Sequence, residues 1–214
     1  MEIDVKGRFI SLEGGEGAGK TTLVKSLRDT LQARDLEVVI SREPGGTPGA
    51  EILRDILVNG ATDRWSPMTE ALLMYASRVD HVEKLIKPAL ERGAWVLCDR
   101  FSDSTTAYQG AAGGVDLHQI ALLHQACLGS FKPDLTLIVD LDPDIGIKRT
   151  VNRGEDASRF ERFDHGFHSR LRDAYLNIAS AEPERCVLLD GSRAQREVYD
   201  AAIEAIDARL GVQA

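Results

Sequence analysis

Arg8-Phe9-Ile10-Ser11-Leu12-Glu13-Gly14-Gly15-Glu16-Gly17-Ala18-Gly19-Lys20-Thr21-Thr22 decides how the rest of the chain is read. Arg8 to Leu12 reads as a short strand. It runs straight into a turn in which Gly14 to Thr21 matches G-x-x-x-x-G-K-[ST] in full. Leu23, Leu27 and Leu31 then fall on one helical stripe. Strand, glycine-rich turn and helix in this order form a cradle for phosphate. Glycine lets the chain curl until backbone N–H groups face inward, and the helix starting near Lys20 adds its positive end. Lys20 brings a point charge to the outer phosphates of a nucleotide, and Thr21 offers a hydroxyl to Mg2+.

Downstream, apolar runs alternate with helical patterns. Val38–Ile40, Trp95–Cys98, Leu135–Val139 and Val187–Leu189 read as strands. Helices are expected at about 48–58, 67–91, 116–128, 143–152, on to about 180, and 194–210. The small, polar, glycine-rich stretch 102–114 is expected to be a loop. Strands that are apolar throughout are buried on both faces, which means a parallel sheet covered by helices. The expected fold is therefore α/β: a three-layer P-loop NTPase fold with a five-stranded parallel sheet flanked by helices. It is read as a single domain over 1–214, with a short mobile lid in the charged stretch at about 149–162. The strand Trp95–Cys98 ends at Asp99, a carboxylate at the sheet rim suited to holding Mg2+.

Composition narrows the function. The chain has 214 residues, 43% apolar, enough for one domain with a substantial core. Lys plus Arg is 26 against 34 Asp plus Glu, a net charge of −8, which argues against binding a nucleic-acid polymer along its backbone. Cys98, Cys127 and Cys186 are far apart, with no Cys-x-x-Cys. A disulfide framework or zinc site is not expected, and a reducing cytoplasm suits the chain. Cys98 reads as a small core residue. No basic start leads into an apolar stretch and no run of 18 apolar residues occurs, so neither a signal peptide nor a membrane span is expected. His165 and His168 read as a surface pair, and His118 and His124 as structural residues of an amphipathic helix.

Several segments in order carry a family likeness: Glu13-Gly14-x-Glu16-Gly17-Ala18-Gly19-Lys20-Thr21-Thr22; Arg42-Glu43-Pro44-Gly45-Gly46-Thr47; Asp99-Arg100 followed by Ser104-Thr105-x-Ala107-Tyr108-Gln109-Gly110; Pro133-Asp134-Leu135-Thr136 leading to Asp140; and Lys148-Arg149 with Arg153-Gly154. Together they resemble the bacterial thymidylate kinases. The resemblance implies transfer of the γ-phosphate of ATP to dTMP, giving dTDP and ADP, with Mg2+, by a cytoplasmic homodimer. A nucleoside monophosphate carries a second phosphate pKa near ~6, so it is already nucleophilic at neutral pH and needs cations rather than a base. A regulatory GTPase would need Asp-x-x-Gly and Asn-Lys-x-Asp after the phosphate loop, and neither occurs. Another small-molecule P-loop kinase stays open, with the segments at 42–47 and 99–110 as the discriminators.

The resemblance also implies roles. ATP would lie on Gly14, Gly15, Glu16, Gly17, Ala18, Gly19, Lys20, Thr21 and Thr22, with Arg193 in the turn after the last strand near adenine. Arg78 and Arg100 would clamp the acceptor phosphate by the planar fork that pairs with two oxygens. From residue type alone, Arg78 also suits a helix arginine paired with a nearby acid. Glu16 would accept from the acceptor's 3′-hydroxyl and, with Thr21 and Asp99, arrange Mg2+. Arg42, Glu43 and Pro44 would line the acceptor pocket, and Ser104, Thr105, Tyr108 and Gln109 would surround thymine and deoxyribose. Tyr108 also reads as a core ring. Met74 departs from the pattern, since the family usually carries Phe there, stacked on the base. Arg149 and Arg153 share one helical face and, with Arg159 and Arg162, would make a basic lid, because Gly17-Ala18 holds no arginine. The implied catalytic set is Lys20, Glu16, Arg100, Arg149 and Arg153. The apolar face of Leu72, Tyr75, Val79 and Val82 is either a subunit interface or core.

Overall fold

The computed structural model describes residues 7–151 and 158–211. Strand β1 (Phe9–Gly14) is buried along its whole length and is followed by α1 (Lys20–Gln32). After β2 (Val38–Arg42), Thr47 caps α2 (Pro48–Val58) by accepting from the Ala50 N–H, with proline at the first turn. Ser66 caps α3 (Pro67–His81) in the same way. The helical run continues to Glu91, but not as uniform α-helix. A π-helical stretch, Val82–Ile86, separates α3 from α4 (Lys87–Glu91). Pro88 has no N–H to return to the carbonyl four residues back, and the backbone opens to wider hydrogen bonding just before it.

Strand β3 (Trp95–Asp99) leads into α5 (Ser102–Thr105) and a π-helical segment, Thr106–Ala112. The expected loop over 102–114 is thus helical as far as Ala112. Its small and polar residues are mostly buried: Ala107, Tyr108 and Gln109 all face inward. Tertiary contacts override the weak local preference. Then come α6 (Leu117–Leu128), β4 (Leu135–Asp140), α7 (Pro143–Val151), a 3-10 turn at Phe160–Arg162, α8 (His165–Ala181), β5 (Cys186–Asp190) and α9 (Gln195–Leu210).

Among the described residues the sheet has five strands in the order β2-β3-β1-β4-β5, and all neighbours run parallel. Side chains alternate across it. Ile10 and Leu12 join Leu23, Leu27 and Leu31 of α1 and Ile206 of α9 on one face. Phe9, Val96 and Cys98 pack under Val82 and Ile86 on the other. That second face also buries polar Ser11, Glu13 and Thr136. The carboxyl ends of β1, β2 and β3 lie side by side, since Arg42 is in register with Asp99 and Leu12 with Asp99. In open α/β sheets that rim is where ligands sit.

Candidate active site

The phosphate loop is built by close backbone approach. Gly17 has φ +68°, and a Cβ there would stand 2.1 Å from the Gly146 carbonyl oxygen on α7. Lys20, the first residue of α1, is buried and donates to the carbonyls of Gly14 (3.0 Å) and Gly15 (2.8 Å). Burial, with the nearby charge of Arg100, pushes its ammonium down to about 8, against the pull of Asp99, Glu16 and Glu13. Thr21 donates its hydroxyl to Asp99 Oδ2 at 3.1 Å, so two of the three expected Mg2+ ligands meet at the loop's edge. Both supply hard oxygen, which suits Mg2+. Among the described residues no cluster of three or more His, Cys, Asp or Glu is arranged to hold a metal by itself.

Arg100 follows β3 with φ +72°, a left-handed conformation that non-glycine residues rarely adopt. Such strain persists only where surroundings over-determine it. Here its backbone N–H binds the Leu12 carbonyl. Its guanidinium donates to the Gly14 carbonyl (3.0 Å), the Tyr175 hydroxyl (3.2 Å) and Glu16 (3.0 Å). Tyr108 also donates to Glu16, at 2.6 Å. Burial alone would raise the Glu16 carboxyl, but Arg100, Lys20 and the Tyr108 bond outweigh it and hold it below its usual value. Behind Arg100 sits Glu13, which accepts from the Phe101 N–H and from the hydroxyls of Ser104 and Tyr175. Burial, then the like charge of Asp103, pushes it up to about 7.

Deeper in, Arg78 is 2% exposed and lies between the rings of Tyr75 and Phe101. It donates to Glu43 (2.6 Å), Thr105 (3.1 Å) and the Phe101 carbonyl (3.1 Å). Glu43 also meets His81 Nδ1 at 2.9 Å. Gln109 is buried and donates to Glu70 at 2.6 Å.

One cleft of about 1220 Å³ connects these groups. Glu16 through Thr22, Arg42, Glu43, Pro44, Met74, Arg78, Asp99, Arg100, Ser104, Thr105, Tyr108, Gln109, Arg149 and Arg193 all line it. Gly14 and Gly15 lie behind the loop, against a smaller cavity beside His168. Arg42 stands at the exposed rim, paired with Glu51. Arg149 reaches the Gly191 carbonyl, and Arg193 pairs with Asp190 and Glu197. Arg153 lies outside the described residues.

Two expectations are corrected. Arg159 is not a free lid arginine: it is 1% exposed and donates to the Leu57 and Thr62 carbonyls and to Glu70. His165 is exposed, but His168 is buried at 3% exposure, so they are no surface pair. The apolar face is mixed, with Tyr75 and Val82 in the core and Leu72 exposed. Sequence reading missed Arg54, which lines the cleft and donates to the Pro44 carbonyl at 2.7 Å. It also missed Glu13 and Tyr175 behind Arg100, whose partners come from distant strands and helices.

A thymidylate kinase family model matches residues 12–202. The chain belongs to the thymidylate kinase family. It is 53% identical over 207 residues to the thymidylate kinase of Caulobacter vibrioides, covering 97% of this chain and 99% of that protein. It is 46% identical over 207 residues to that of Afipia carboxidovorans, covering 96% and 91%. The crystal structure of thymidylate kinase from Ehrlichia chaffeensis superposes with a TM-score of 0.76 at 32% identity, over 94% of this chain and 98% of that one. The departure at Met74 therefore sits within a thymidylate kinase fold and not outside it.

Proposed function

We propose that this thymidylate kinase holds ATP and dTMP tail to tail in the cleft and moves the γ-phosphate of ATP onto dTMP, giving dTDP and ADP. The observation that carries the reading is the single cleft lined at once by Lys20, Arg100, Arg54, Arg78 and Gln109. Two anions can react there because cations converge where their tails meet.

Each group has a task that its surroundings support. Backbone N–H groups of the loop and Lys20 bind the donor phosphates. Arg100, fixed by the loop carbonyl and Glu16, draws in the acceptor phosphate, and Arg54 flanks it from α2. Arg78 is committed to Glu43, Thr105 and Phe101, which supports a place at the floor of the base pocket in preference to the phosphate clamp. Glu16, kept ionised, accepts from the sugar hydroxyl, and Ser104, Thr105 and Tyr108 surround the sugar and base. Glu43 and Pro44 close the acceptor side, with Arg42 at its rim. Transfer is mostly positioning and charge cancellation, so no general base is needed.

Thr21 and Asp99, with Glu16 close by, would hold Mg2+, which supplies neutralisation of charge between the phosphates. With few protein ligands, the remaining coordination would come from phosphate and water. Arg149, which lines the cleft, would offset charge on the moving group, and Arg153 is assigned the same task from the sequence alone. The whole chain is one nucleoside monophosphate kinase domain. A homodimer is supported by exposed Leu72, Leu117 and Leu122 on the adjoining helices α3 and α6. A cytoplasmic setting fits three cysteines without a disulfide and no described helix long and apolar enough to cross a membrane.

The test is a coupled ADP-release assay with ATP and Mg2+ across dTMP, dUMP, dCMP, dAMP and dGMP. The highest kcat/KM is expected for dTMP. A higher value for another monophosphate overturns the assignment.

A further inference from the structure

Glu70 lies on α3, away from the phosphate loop, and is buried at 6% exposure. A carboxylate there costs free energy unless it is paired and hydrogen-bonded. Its partners are specific. One oxygen accepts from the Gln109 amide nitrogen at 2.6 Å, and the other from Arg159. Arg159 is itself anchored to the Leu57 and Thr62 carbonyls at 3.0 Å each. The chain therefore runs from fixed backbone, through a buried cation and a buried carboxylate, to an amide that faces the substrate cleft.

The chemistry of that chain has a direction. An ionised carboxylate only accepts, so the amide group that meets it must be the NH2 end. The Gln109 carbonyl oxygen is then the end left for the cleft. Arg78 lines the same cleft, bonded to Thr105 one helical turn before Gln109; it can only donate, and Glu43 holds it in place. The cleft lining thus offers a donor from Arg78 and an acceptor from Gln109. An imide edge, with a carbonyl oxygen beside a ring N–H, matches that order. An amino-pyrimidine edge, with an amino group beside a bare ring nitrogen, has the reverse order.

We propose that Glu70 is a positioning residue that sets the hydrogen-bond polarity of Gln109, and that Arg159 keeps Glu70 in its accepting form, so that the pair selects imide bases over amino-pyrimidine bases. The proposal rests on the reading that Gln109 faces the acceptor base. Glu70→Gln keeps the shape but removes the enforced direction, because a carboxamide can face Gln109 with either end. The amide of Gln109 is then free to turn.

The experiment measures kcat/KM for dTMP and dCMP, and the KM for ATP, in the wild type, Glu70→Gln and Gln109→Leu. Glu70→Gln is expected to lower the dTMP-to-dCMP preference by about tenfold, the worth of a hydrogen bond lost for one base and gained for the other, with the ATP KM unchanged. If Glu70→Gln lowers both substrates alike and leaves the ratio intact, Glu70 is only structural and the proposal is wrong. Gln109→Leu tests the underlying reading separately. It should raise the dTMP KM, and an unchanged KM removes Gln109 from the base pocket altogether. Glu70→Gln leaves Arg159 without a full counter-charge, so Glu70→Gln with Arg159→Met is made alongside, with thermal melting as the folding check. The same fall in the ratio is expected, and a wild-type ratio in that folded double variant also overturns the proposal.

Discussion

Tyr108 and Arg100 donate to the same carboxylate oxygen of Glu16, at 2.6 and 3.0 Å. The guanidinium carbon of Arg100 also lies 4.8 Å from the centre of the Tyr108 ring. Acid, phenol and arginine thus form one unit at the mouth of the phosphate loop. Glu16→Gln removes the charge that balances Arg100 and weakens acceptance from two donors at once. A fall in kcat on the order of 10²-fold is expected, read in steady state at saturating ATP and dTMP. Tyr108→Phe is milder. The ring keeps its edge contacts with Phe160 and Phe167, and only the O–H bond goes. A loss of about 1 kcal/mol in kcat/KM is expected, with a nearly unchanged melting temperature. A larger effect from Tyr108→Phe than from Glu16→Gln would contradict this arrangement.

Glu13 makes stability depend on pH. Burial, then Asp103, pushes its folded-state pKa up to about 7, above the ordinary carboxyl value near ~4.3. Between those values the native state binds more protons than the unfolded state. Stability from this group is therefore full below about pH 4 and is lost as pH rises through 7. The span is worth roughly 4 kcal/mol. Urea unfolding at pH 5.5 and 7.5 should show the wild type losing about 2 kcal/mol relative to Glu13→Gln, the part of the span crossed between those two pH values. Parallel pH profiles for the two proteins would show that Glu13 does not titrate there.

Much of this was legible in the sequence, and the reason is locality. The phosphate loop, Asp99 at a strand end and the apolar strands are each defined within about ten residues, so period and motif suffice. The segment 102–112 was not legible. Its Ser, Thr and Gly content reads as a loop, but Glu13 takes the Phe101 N–H and the Ser104 hydroxyl from β1, far back in the chain. Arg159 looked like a lid residue because its charged neighbours suggest a solvated face. Its partner Glu70 is 89 residues away. Tyr175 meets Glu13 across 162 residues. Long-range pairs of this kind leave no periodic trace, and they are what holds Arg100 and Gln109 in place.

Met74 is 8% exposed and lines the same cleft as Arg78 and Gln109. A thioether fills irregular space but is flexible, whereas a phenyl ring offers a fixed face to a base. Met74→Phe is expected to lower the dTMP KM several-fold, in line with about 0.5–1.5 kcal/mol for an added aromatic contact. The ATP KM should not move. An unchanged or higher dTMP KM would mean that the base does not rest on this side chain.

Lys20 should make ATP binding weaken in alkaline solution. In the free protein, burial and then the charge of Arg100 push its ammonium down to about 8. Bound phosphates attract the proton and raise that value. Below pH 8 the charge is already present and ATP binds at full strength. Above it, binding must first recover the proton, and Kd is expected to rise by about tenfold at pH 9. Arg100 stays charged across this range, so its contribution is constant. Lys20→Met supplies the control for titration of ATP itself. It should bind ATP more weakly than the wild type at pH 7.5, with a flatter profile from there to pH 9. Calorimetric titrations at pH 7.5, 8 and 9 measure both. Equal slopes in the two proteins would assign the pH dependence to the nucleotide and not to Lys20.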